Sequence, residues 1–217
     1  MKRKLNKAII FDFDGVILNS HLVKTNAFYK VFLNYGKQIA TKAKRLHLKN
    51  AGVARIIKFK LILKTIVKTS ITKKKILDLQ NKFSVYSKKK IEKLNINKYL
   101  LNFLSKNHKK YNLYISTGTS QKEILKIVKE KKISKYFIKV LGSPRKKVDH
   151  IKMIKKSNHK IIFIGDSKED YISSLNEKVF FIAKINAESR NYFKNKNIPK
   201  IYSYKNIKKV LGNCFKL

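Results

Sequence analysis

Two apolar runs that each lead into aspartates constrain the fold of this chain more than any other feature. The first run covers residues 8–11 and leads into Asp12, Asp14 and Gly15. A short apolar run without polar alternation is typical of a strand that is buried on both faces, as in a parallel sheet. Carboxylates are seldom buried without a partner. We therefore interpret Asp12 and Asp14, which face the same side of a strand, as part of a site rather than a plain turn.

The second run covers residues 161–164 and leads into Gly165, Asp166 and Asp170. Only 12 residues are acidic, against 53 that are basic, so four aspartates at two strand ends indicate a function. Carboxylates that converge on one edge repel each other unless a cation lies among them. Oxygen ligands without histidine or cysteine suit Mg²⁺, which commonly shares its shell with substrate phosphates. The pattern predicts Mg²⁺ as the cofactor and phosphoryl transfer as the reaction. Alternatively, Asp170 only caps the next helix together with Ser167.

The rest of the chain separates a helical stretch from an alternation of strands and helices. Residues 21–94 carry apolar spacings of three and four without convincing strands. Helices then alternate with strands predicted at 111–117, 136–141, 160–164 and 179–183. We expect an α/β fold: a Rossmann-like parallel sheet core with helices on both faces, plus a small all-helical cap inserted after the first strand. The predicted boundaries are 1–19 and 96–217 for the core and 20–95 for the cap.

Composition favours a folded protein in a reducing compartment. Hydrophobic residues make up 43% of the 217 residues, which is enough for a real core. The single cysteine, Cys214, excludes an internal disulfide, and we expect a cytoplasmic location. The first apolar run is too short for a signal peptide, and no run is long enough to span a membrane. We therefore expect no membrane partner.

The net charge of +41 raises the hypothesis of nucleic-acid binding. However, the basic residues are almost all lysines, and they are spread along the whole chain together with many asparagines and isoleucines. Codon bias in an A/T-rich genome would produce this pattern, whereas nucleic-acid readers more often concentrate arginine and lysine on one face. We expect nonspecific attraction to polyanions at low salt and no specific nucleic-acid partner.

Thr117 ends the second predicted core strand, immediately before Gly118. A hydroxyl that is followed by exposed backbone N–H groups and a helix start can hold a phosphate oxygen. Ser116 is the competing choice for this role, and an ordinary helix-entry turn is the alternative interpretation.

Lys147 lies near the start of a helix that we predict to begin at Pro144, with Ser143 as its N-cap. A cation near a helix N-terminus is electrostatically unfavourable unless it binds an anion or a carboxylate cluster. The neighbouring Lys146 is an equal candidate on sequence grounds alone.

Four motifs occur in order over essentially the whole chain, and together they resemble those of the haloacid dehalogenase superfamily. The motifs are Asp12-Phe-Asp14-Gly-Val, Thr117-Gly118, Gly142-Ser-Pro-Arg-Lys-Lys147 and Gly165-Asp166-Ser-Lys-Glu-Asp170. The helical insert after the first motif resembles the α-helical cap of the phosphoglycolate phosphatase and β-phosphoglucomutase branch. One departure is Asn19, where many relatives carry an aspartate.

The resemblance implies a role for each motif residue. Asp12 would be the nucleophile that forms an aspartyl-phosphate. Asp14 would be the general acid and then the general base, and its backbone carbonyl would ligate Mg²⁺. Asp14 also argues against dehalogenase chemistry, because that branch lacks a carboxylate at this position.

The other motif residues would support this chemistry. Asp166 would be a metal ligand, with Asp170 assisting directly or through water. Thr117 and the adjacent Gly118 would bind the phosphoryl group, and Lys147 would balance the negative charge on that group and on the nucleophile.

The cap is expected to select the substrate, and its candidate binding residues lie in residues 47–59. Gly52 supplies a loop, while Arg55 and Lys58 lie one helical turn apart. His47 and Asn50 could bind hydroxyls or a second anionic group. A sugar phosphate or a phosphorylated acid would fit such a site, and a solvated basic helix face is the alternative.

These observations predict a Mg²⁺-dependent phosphatase of a small phosphorylated metabolite, acting as a monomer or a weak dimer. A phosphomutase of the β-phosphoglucomutase type shares the same motifs. A nucleic-acid-binding protein, or a phosphatase of polynucleotide ends, is the alternative suggested by the charge.

Overall fold

A sheet of six parallel strands forms the centre of the computed structural model, which describes residues 6–215. The strands are β1 (Lys7–Phe11), β2 (Asn112–Ser120), β3 (Lys139–Ser143), β4 (Lys160–Gly165), β5 (Phe180–Lys184) and β6 (Lys200–Ile201). Their spatial order is β3-β2-β1-β4-β5-β6. β1 lies between β2 and β4 and pairs with both, so the first strand occupies the centre of the sheet.

Ten α-helices accompany the sheet within the described residues. They are α1 (His21–Phe32), α2 (Lys37–Lys49), α3 (Arg55–Ile62), α4 (Lys73–Lys93), α5 (Lys98–Asn107), α6 (Gln121–Glu130), α7 (Lys147–Lys155), α8 (Lys168–Asn176), α9 (Arg190–Phe193) and α10 (Ile207–Cys214). No helix of the described part is long and apolar enough to cross a membrane.

Successive residues of β1 pack into different hydrophobic clusters, because side chains alternate across a strand. Ile9 and Phe11 join the cluster that includes residues of α5, α6 and α10. Ala8 and Ile10 join the cluster on the other face, with residues of α7 and α9. Both faces of the sheet are therefore covered, which explains why the strand sequence is continuously apolar.

The helices α1–α4 form the all-helical insert after β1 that the sequence predicts, and they have a hydrophobic cluster of their own. Phe28, Phe59 and Phe83 meet at its centre, with ring centroids 5.2 to 6.2 Å apart. The apolar residues of α4 recur at spacings of three and four, so one face of this long helix is buried. The α/β fold with a helical cap is confirmed, and the exact boundaries 1–19, 20–95 and 96–217 stay a prediction.

The prediction that a helix begins at Pro144 with Ser143 as its N-cap is wrong. β3 continues to Ser143, and α7 begins only at Lys147. A residue before proline is biased toward extended backbone, so Ser143 completes the strand instead of capping a helix. Lys147 is therefore the first residue of α7.

Strand ends also differ from prediction. β2 continues to Ser120, beyond Thr117, and its register with β3 shifts between Ser116 and Ser120. β3 begins at Lys139, because residues 134–136 form a 3₁₀ turn. Both β2 and β3 therefore end later in the sequence, nearer the carboxyl edge of the sheet, than their apolar runs alone indicate.

Candidate active site

Three aspartates meet at the carboxyl edge of the sheet. Asp12 directly follows β1, Asp166 directly follows β4, and Asp170 lies in the first turn of α8. All three are buried, and one carboxylate oxygen of each lies within 4.8 Å of the others. Because β1 and β4 are neighbouring parallel strands, their carboxyl ends bring the two sequence motifs together.

Lys147 supplies the positive charge for this cluster. Its Nζ lies 2.9 Å from Asp12 Oδ1 and 2.5 Å from Asp170 Oδ1, and the residue is only 3% exposed. Burial alone would lower the pKa of Lys147, but Asp12 and Asp170 outweigh it and raise the pKa above its usual range. The adjacent Lys146 is exposed, so the structure distinguishes between the two candidates.

Asp170 caps α8 and also faces the carboxylate cluster. Its Oδ2 accepts hydrogen bonds from the backbone N–H and the hydroxyl of Ser167, and its own N–H donates to Ser167 Oγ, which completes a capping box. Its Oδ1 meanwhile accepts from Lys147. The helix cap thus fixes the orientation of the carboxylate that faces the cluster.

The environment of Asp12 fits a bound divalent cation. Burial raises the pKa of Asp12, repulsion from Asp170 raises it further, and Lys147 opposes both. Among the described residues, Asp12 Oδ1 is buried without a well-directed hydrogen bond, although Lys147 lies nearby. Three buried carboxylates face two cations, Lys147 and His21, so one negative charge remains in excess, and hard oxygen donors suit Mg²⁺.

Asp14 faces a different set of partners. Its Oδ2 accepts from Lys24 Nζ at 2.5 Å and from Thr119 Oγ1 at 3.0 Å, and its Oδ1 accepts from Ser20 Oγ at 2.5 Å. Burial alone would raise the pKa of Asp14, but Lys24 outweighs this effect and holds the pKa below its usual value. The side chain of Asp14 therefore lies outside the group of three carboxylates that could share a metal.

His21 and Asn186 both contact the carboxylate of Asp166. His21 Nε2 and Asn186 Nδ2 each donate to Asp166 Oδ2 at 2.6 Å. Burial alone would lower the pKa of His21, but the hydrogen bond and the charge of Asp166 raise it to about 9. His21 is therefore largely protonated at neutral pH and forms an ion pair with this carboxylate.

Thr117 lines the cavity above the aspartates, whereas Ser116 does not. Ser116 points to the other side of the strand, where its hydroxyl lies 2.8 Å from Nδ1 of the buried His150. Thr117 Oγ1 accepts from the N–H of Thr119, so its own O–H remains free to donate to a ligand. This geometry favours Thr117 over its competitor.

The cavity has a volume of about 200 Å³ and lies between the helical insert and the sheet edge. Its walls include Gly118 from β2 and His47, Arg55 and Lys58 from the insert. Asn50 is placed elsewhere, because its side-chain amide donates to the carbonyl of Leu46 at the end of α2. The structure thus brings together all the proposed substrate-binding residues except Asn50.

The alternative of a solvated basic helix face is wrong for α3. Arg55 is 9% exposed and Lys58 is 5% exposed, although both belong to a helix with other, exposed residues. Arg55 forms an ion pair with Glu123 of α6 and lies over the ring of Phe83, 4.1 Å from its centroid.

Two glycines allow the insert to approach the sheet edge closely. A Cβ at Gly118 would lie 2.6 Å from the carbonyl oxygen of Gly52, which is closer than real Cβ contacts. Gly52 itself has a φ of +81°, and a Cβ there would lie 2.3 Å from Ser167 Oγ. The loop that contains Gly52 therefore contacts both β2 and the turn before α8.

Several residues at the site were not predicted from sequence, namely Ser20, His21, Lys24, Thr119, Glu123 and Asn186. His21 and Lys24 lie only a few residues after the first motif, and this short distance in sequence could have indicated that they contribute to the site. Glu123 and Asn186 contact residues that are 68 and 20 positions away, and no motif connects them.

The sequence matches a family model described as haloacid dehalogenase-like hydrolase over residues 9–184. No curated protein sequence matches the chain. Among solved structures, it is similar to a predicted phosphatase from Clostridium acetobutylicum, with a TM-score of 0.75, 20% identity and coverage of 96% of this chain and 99% of that chain. A β-phosphoglucomutase from Clostridium difficile gives a TM-score of 0.73 and 19% identity, with coverage of 97% and 99%.

A predicted phosphoglycolate phosphatase from Haemophilus somnus gives a TM-score of 0.70 and 14% identity, with coverage of 97% of this chain and 100% of that chain. At such identities these likenesses concern the fold, and they extend over the helical insert as well as the sheet. The family match covers all four motifs that carry the resemblance, which is thereby confirmed. The chain belongs to the haloacid dehalogenase-like hydrolases.

Proposed function

We propose that this hydrolase is a Mg²⁺-dependent phosphatase that cleaves a small phosphorylated metabolite through an aspartyl-phosphate at Asp12. The observation that carries the proposal is the buried cluster of Asp12, Asp166, Asp170 and Lys147 beneath a cavity of about 200 Å³. A cavity of this size, covered by the insert, favours a small ester over a polynucleotide end.

In the first step, a carboxylate oxygen of Asp12 attacks phosphorus, and the bond from phosphorus to the ester oxygen breaks. Once Asp14 has exchanged its contact with Lys24, which keeps its pKa low, and has taken up a proton from water, it donates that proton to the leaving alcohol. Because Asp14 is held by Lys24, Ser20 and Thr119, it has to exchange one of these contacts for the substrate.

In the second step, water attacks phosphorus of the aspartyl-phosphate and gives a proton to Asp14. The bond between phosphorus and the Asp12 oxygen breaks, which releases inorganic phosphate and restores the carboxylate. The free hydroxyl of Thr117 donates to a phosphoryl oxygen, and Lys147 offsets the negative charge beside Asp12.

Asp12, Asp166 and Asp170, together with the backbone carbonyl of Asp14, would hold Mg²⁺. When bound, the metal would offset the negative charge of the phosphoryl oxygens and of the carboxylates. The cluster's oxygen donors and its excess of negative charge support this assignment.

The test is an assay of phosphate release over a panel of phosphorylated metabolites, with Mg²⁺ and with a chelator. We expect Asp12→Asn to lose nearly all turnover while it retains the fold. Mg²⁺-dependent turnover in Asp12→Asn would contradict the assignment of the nucleophile. Activity that resists a chelator would contradict the metal requirement.

A phosphomutase is the second candidate, and the fold similarity to a β-phosphoglucomutase supports it. In that reaction a sugar hydroxyl, instead of water, would attack the aspartyl-phosphate. The two reactions are distinguished by analysing the products that the enzyme forms from sugar phosphates. A mutase yields an isomeric sugar phosphate and little inorganic phosphate. The cytoplasmic location and the monomeric or weakly dimeric state stay predictions.

A further inference from the structure

Lys58 is a buried cation without an anionic partner. It lies in the first turn of α3, is 5% exposed and lines the cavity. In residues 6–215, no ion pair joins Lys58 to a carboxylate, and its hydrogen-bond partner is His47, whose Nδ1 lies 3.1 Å from Nζ. A charge that is taken out of water without an opposite charge is strongly unfavourable.

The other wholly or partly buried cations in the cavity wall or beside it each have an acidic partner. Lys24 pairs with Asp14, and Arg55 pairs with Glu123. Lys147 pairs with Asp12 and Asp170. Lys58 is the exception in this set, although it lies in the same cavity wall as Arg55.

His47 holds the Lys58 side chain in place. When Lys58 is charged, its ammonium group can only donate, so Nδ1 of His47 then accepts and the imidazole proton lies on Nε2. The imidazole stacks on Phe28 with ring centroids 4.1 Å apart, which fixes its plane. Burial lowers the pKa of His47, and the charge of Lys58 lowers it further, so the imidazole stays neutral beside Lys58.

The ring of Phe28 does not replace a countercharge. Lys58 Nζ lies 5.3 Å from the centroid of this ring, within the range of a cation–π contact. Burial nevertheless lowers the pKa of Lys58 to about 7, and the nearby Lys24 adds to this effect, so the surroundings disfavour the charge. An anion that enters the cavity would restore the charged form.

We propose that the substrate carries, besides the phosphoryl group that is transferred, a second acidic group that binds Lys58. This inference rests on the proposed function, since it concerns the substrate of the same site. The second group is a carboxylate or a second phosphate, and both would give Lys58 the oxyanion that the chain itself does not provide. His47 acts as a positioning residue, because it orients Lys58 rather than neutralising it.

The test uses triplets of phosphate esters on a glycolyl, a glyceryl and a hexose skeleton. Within each triplet, the far end carries a hydroxyl, a carboxylate or a second phosphate. For each ester, kcat and KM are measured on wild type, on Lys58→Met and on Lys60→Met. Lys60 lies on the same helix and is exposed, so Lys60→Met is the matched control for the loss of one positive charge. Asp12→Asn reports whether phosphate release depends on the proposed nucleophile.

We expect wild type to prefer an acidic member of a triplet over its hydroxyl counterpart by at least about tenfold in kcat/KM, as a charged hydrogen bond would give. Lys58→Met should remove most of this preference, chiefly through KM, while Lys60→Met keeps it. If Lys58→Met loses the preference for only the carboxylate member or only the phosphate member, that member identifies the acidic group that the site binds. Removal of a buried unpaired charge should leave the variant folded, which its melting temperature checks.

The outcomes separate this inference from the proposed function. If wild type releases no phosphate from any ester, or if Asp12→Asn releases it equally well, the proposed function is wrong. If release depends on Asp12 but acidic members are not preferred, the second acidic group is wrong while the function stands. A preference that survives in Lys58→Met, or that Lys60→Met removes equally, also overturns the assignment to Lys58.

Discussion

Arg55 of the helical insert donates to Glu123 of the sheet domain, so this ion pair joins the two sides of the cavity. Arg55 belongs to the first turn of α3, and Glu123 belongs to the first turn of α6. Both side chains are largely buried, which reduces screening by solvent.

Glu123→Gln should weaken closure of the insert over the cavity, because the amide cannot pair with the guanidinium charge of Arg55. We expect KM to rise about fivefold, since partly exposed ion pairs contribute about 1 kcal/mol. Steady-state kinetics measures this change, and faster amide exchange in α3 would accompany it. Glu130→Gln on the same helix is the control, because Glu130 pairs only loosely with Lys126, at 3.7 Å. Equal effects of the two substitutions would contradict a joining role for Glu123.

Lys147→Met should reduce activity at least about a hundredfold, because it removes the cation beside the proposed nucleophile. It also leaves the carboxylates of Asp12 and Asp170 buried without their partner, which typically costs about 3–5 kcal/mol of folding free energy. Urea unfolding and phosphate release are the two measurements. Lys146→Met is the control, since Lys146 is adjacent and exposed. If Lys146→Met were the more damaging change, the assignment of Lys147 would have to be abandoned.

The stability of the protein should depend on the charge of Lys58. Its pKa is about 7 in the folded state, below the value of 10.5 for a lysine in water. Between these values the unfolded state binds the additional proton, so this residue makes stability rise with pH. Its destabilising effect is fully present below about pH 7 and disappears as the pH approaches the unfolded pKa.

Lys58→Met should therefore be more stable than wild type at about pH 7, and the difference should shrink by about pH 10. The groups whose charges act on Lys58 are Lys24, Asp14, Arg55 and Lys147, and His47 contacts it directly. Urea unfolding at both pH values measures the difference, with Lys60→Met as the reference for a surface lysine. A difference that is constant with pH would show that Lys58 is not destabilised by burial.

Gly118→Ala should force the insert away from the sheet edge, since the new Cβ would meet the carbonyl oxygen of Gly52 at 2.6 Å. We expect a higher KM and a more open average structure, which small-angle scattering can detect. A Cβ at Gly212 in α10 would meet nothing within 4 Å. Gly212→Ala should therefore leave the free energy of unfolding unchanged or raise it by about 0.5–1 kcal/mol. Unchanged kinetics in Gly118→Ala would mean that the close approach of Gly52 is not needed for binding.

The parts of the fold that depend on local pattern were predictable. Apolar runs identified β1 and β4, and the aspartates after them gave the carboxylate cluster, because parallel strands carry their ends to a common edge. Helical spacing identified the insert as well. Pro144 is a misleading signal, because its strong preference for the first position of a helix competes with its effect on Ser143, which stays in β3.

Most of the unpredicted contacts depend on how the insert is placed over the sheet, and the contact of Asn186 with Asp166 is the exception. Lys24 reaches Thr119 across 95 positions of sequence, and His21 reaches Asp166 across 145. In a chain with 53 basic residues, no lysine stands out by its type alone. The burial of Lys58 likewise results from packing between α1, α2 and α3, which residue spacing does not specify.

The central position of β1 has a consequence for biosynthesis. Its neighbours β2 and β4 begin at Asn112 and Lys160, about a hundred residues or more after β1 ends at Phe11. Domains emerge from the ribosome from the N-terminus, and contacts close in sequence form before distant ones. The insert can therefore fold on the nascent chain while β1, together with the proposed nucleophile, still waits for both of the strands that will flank it.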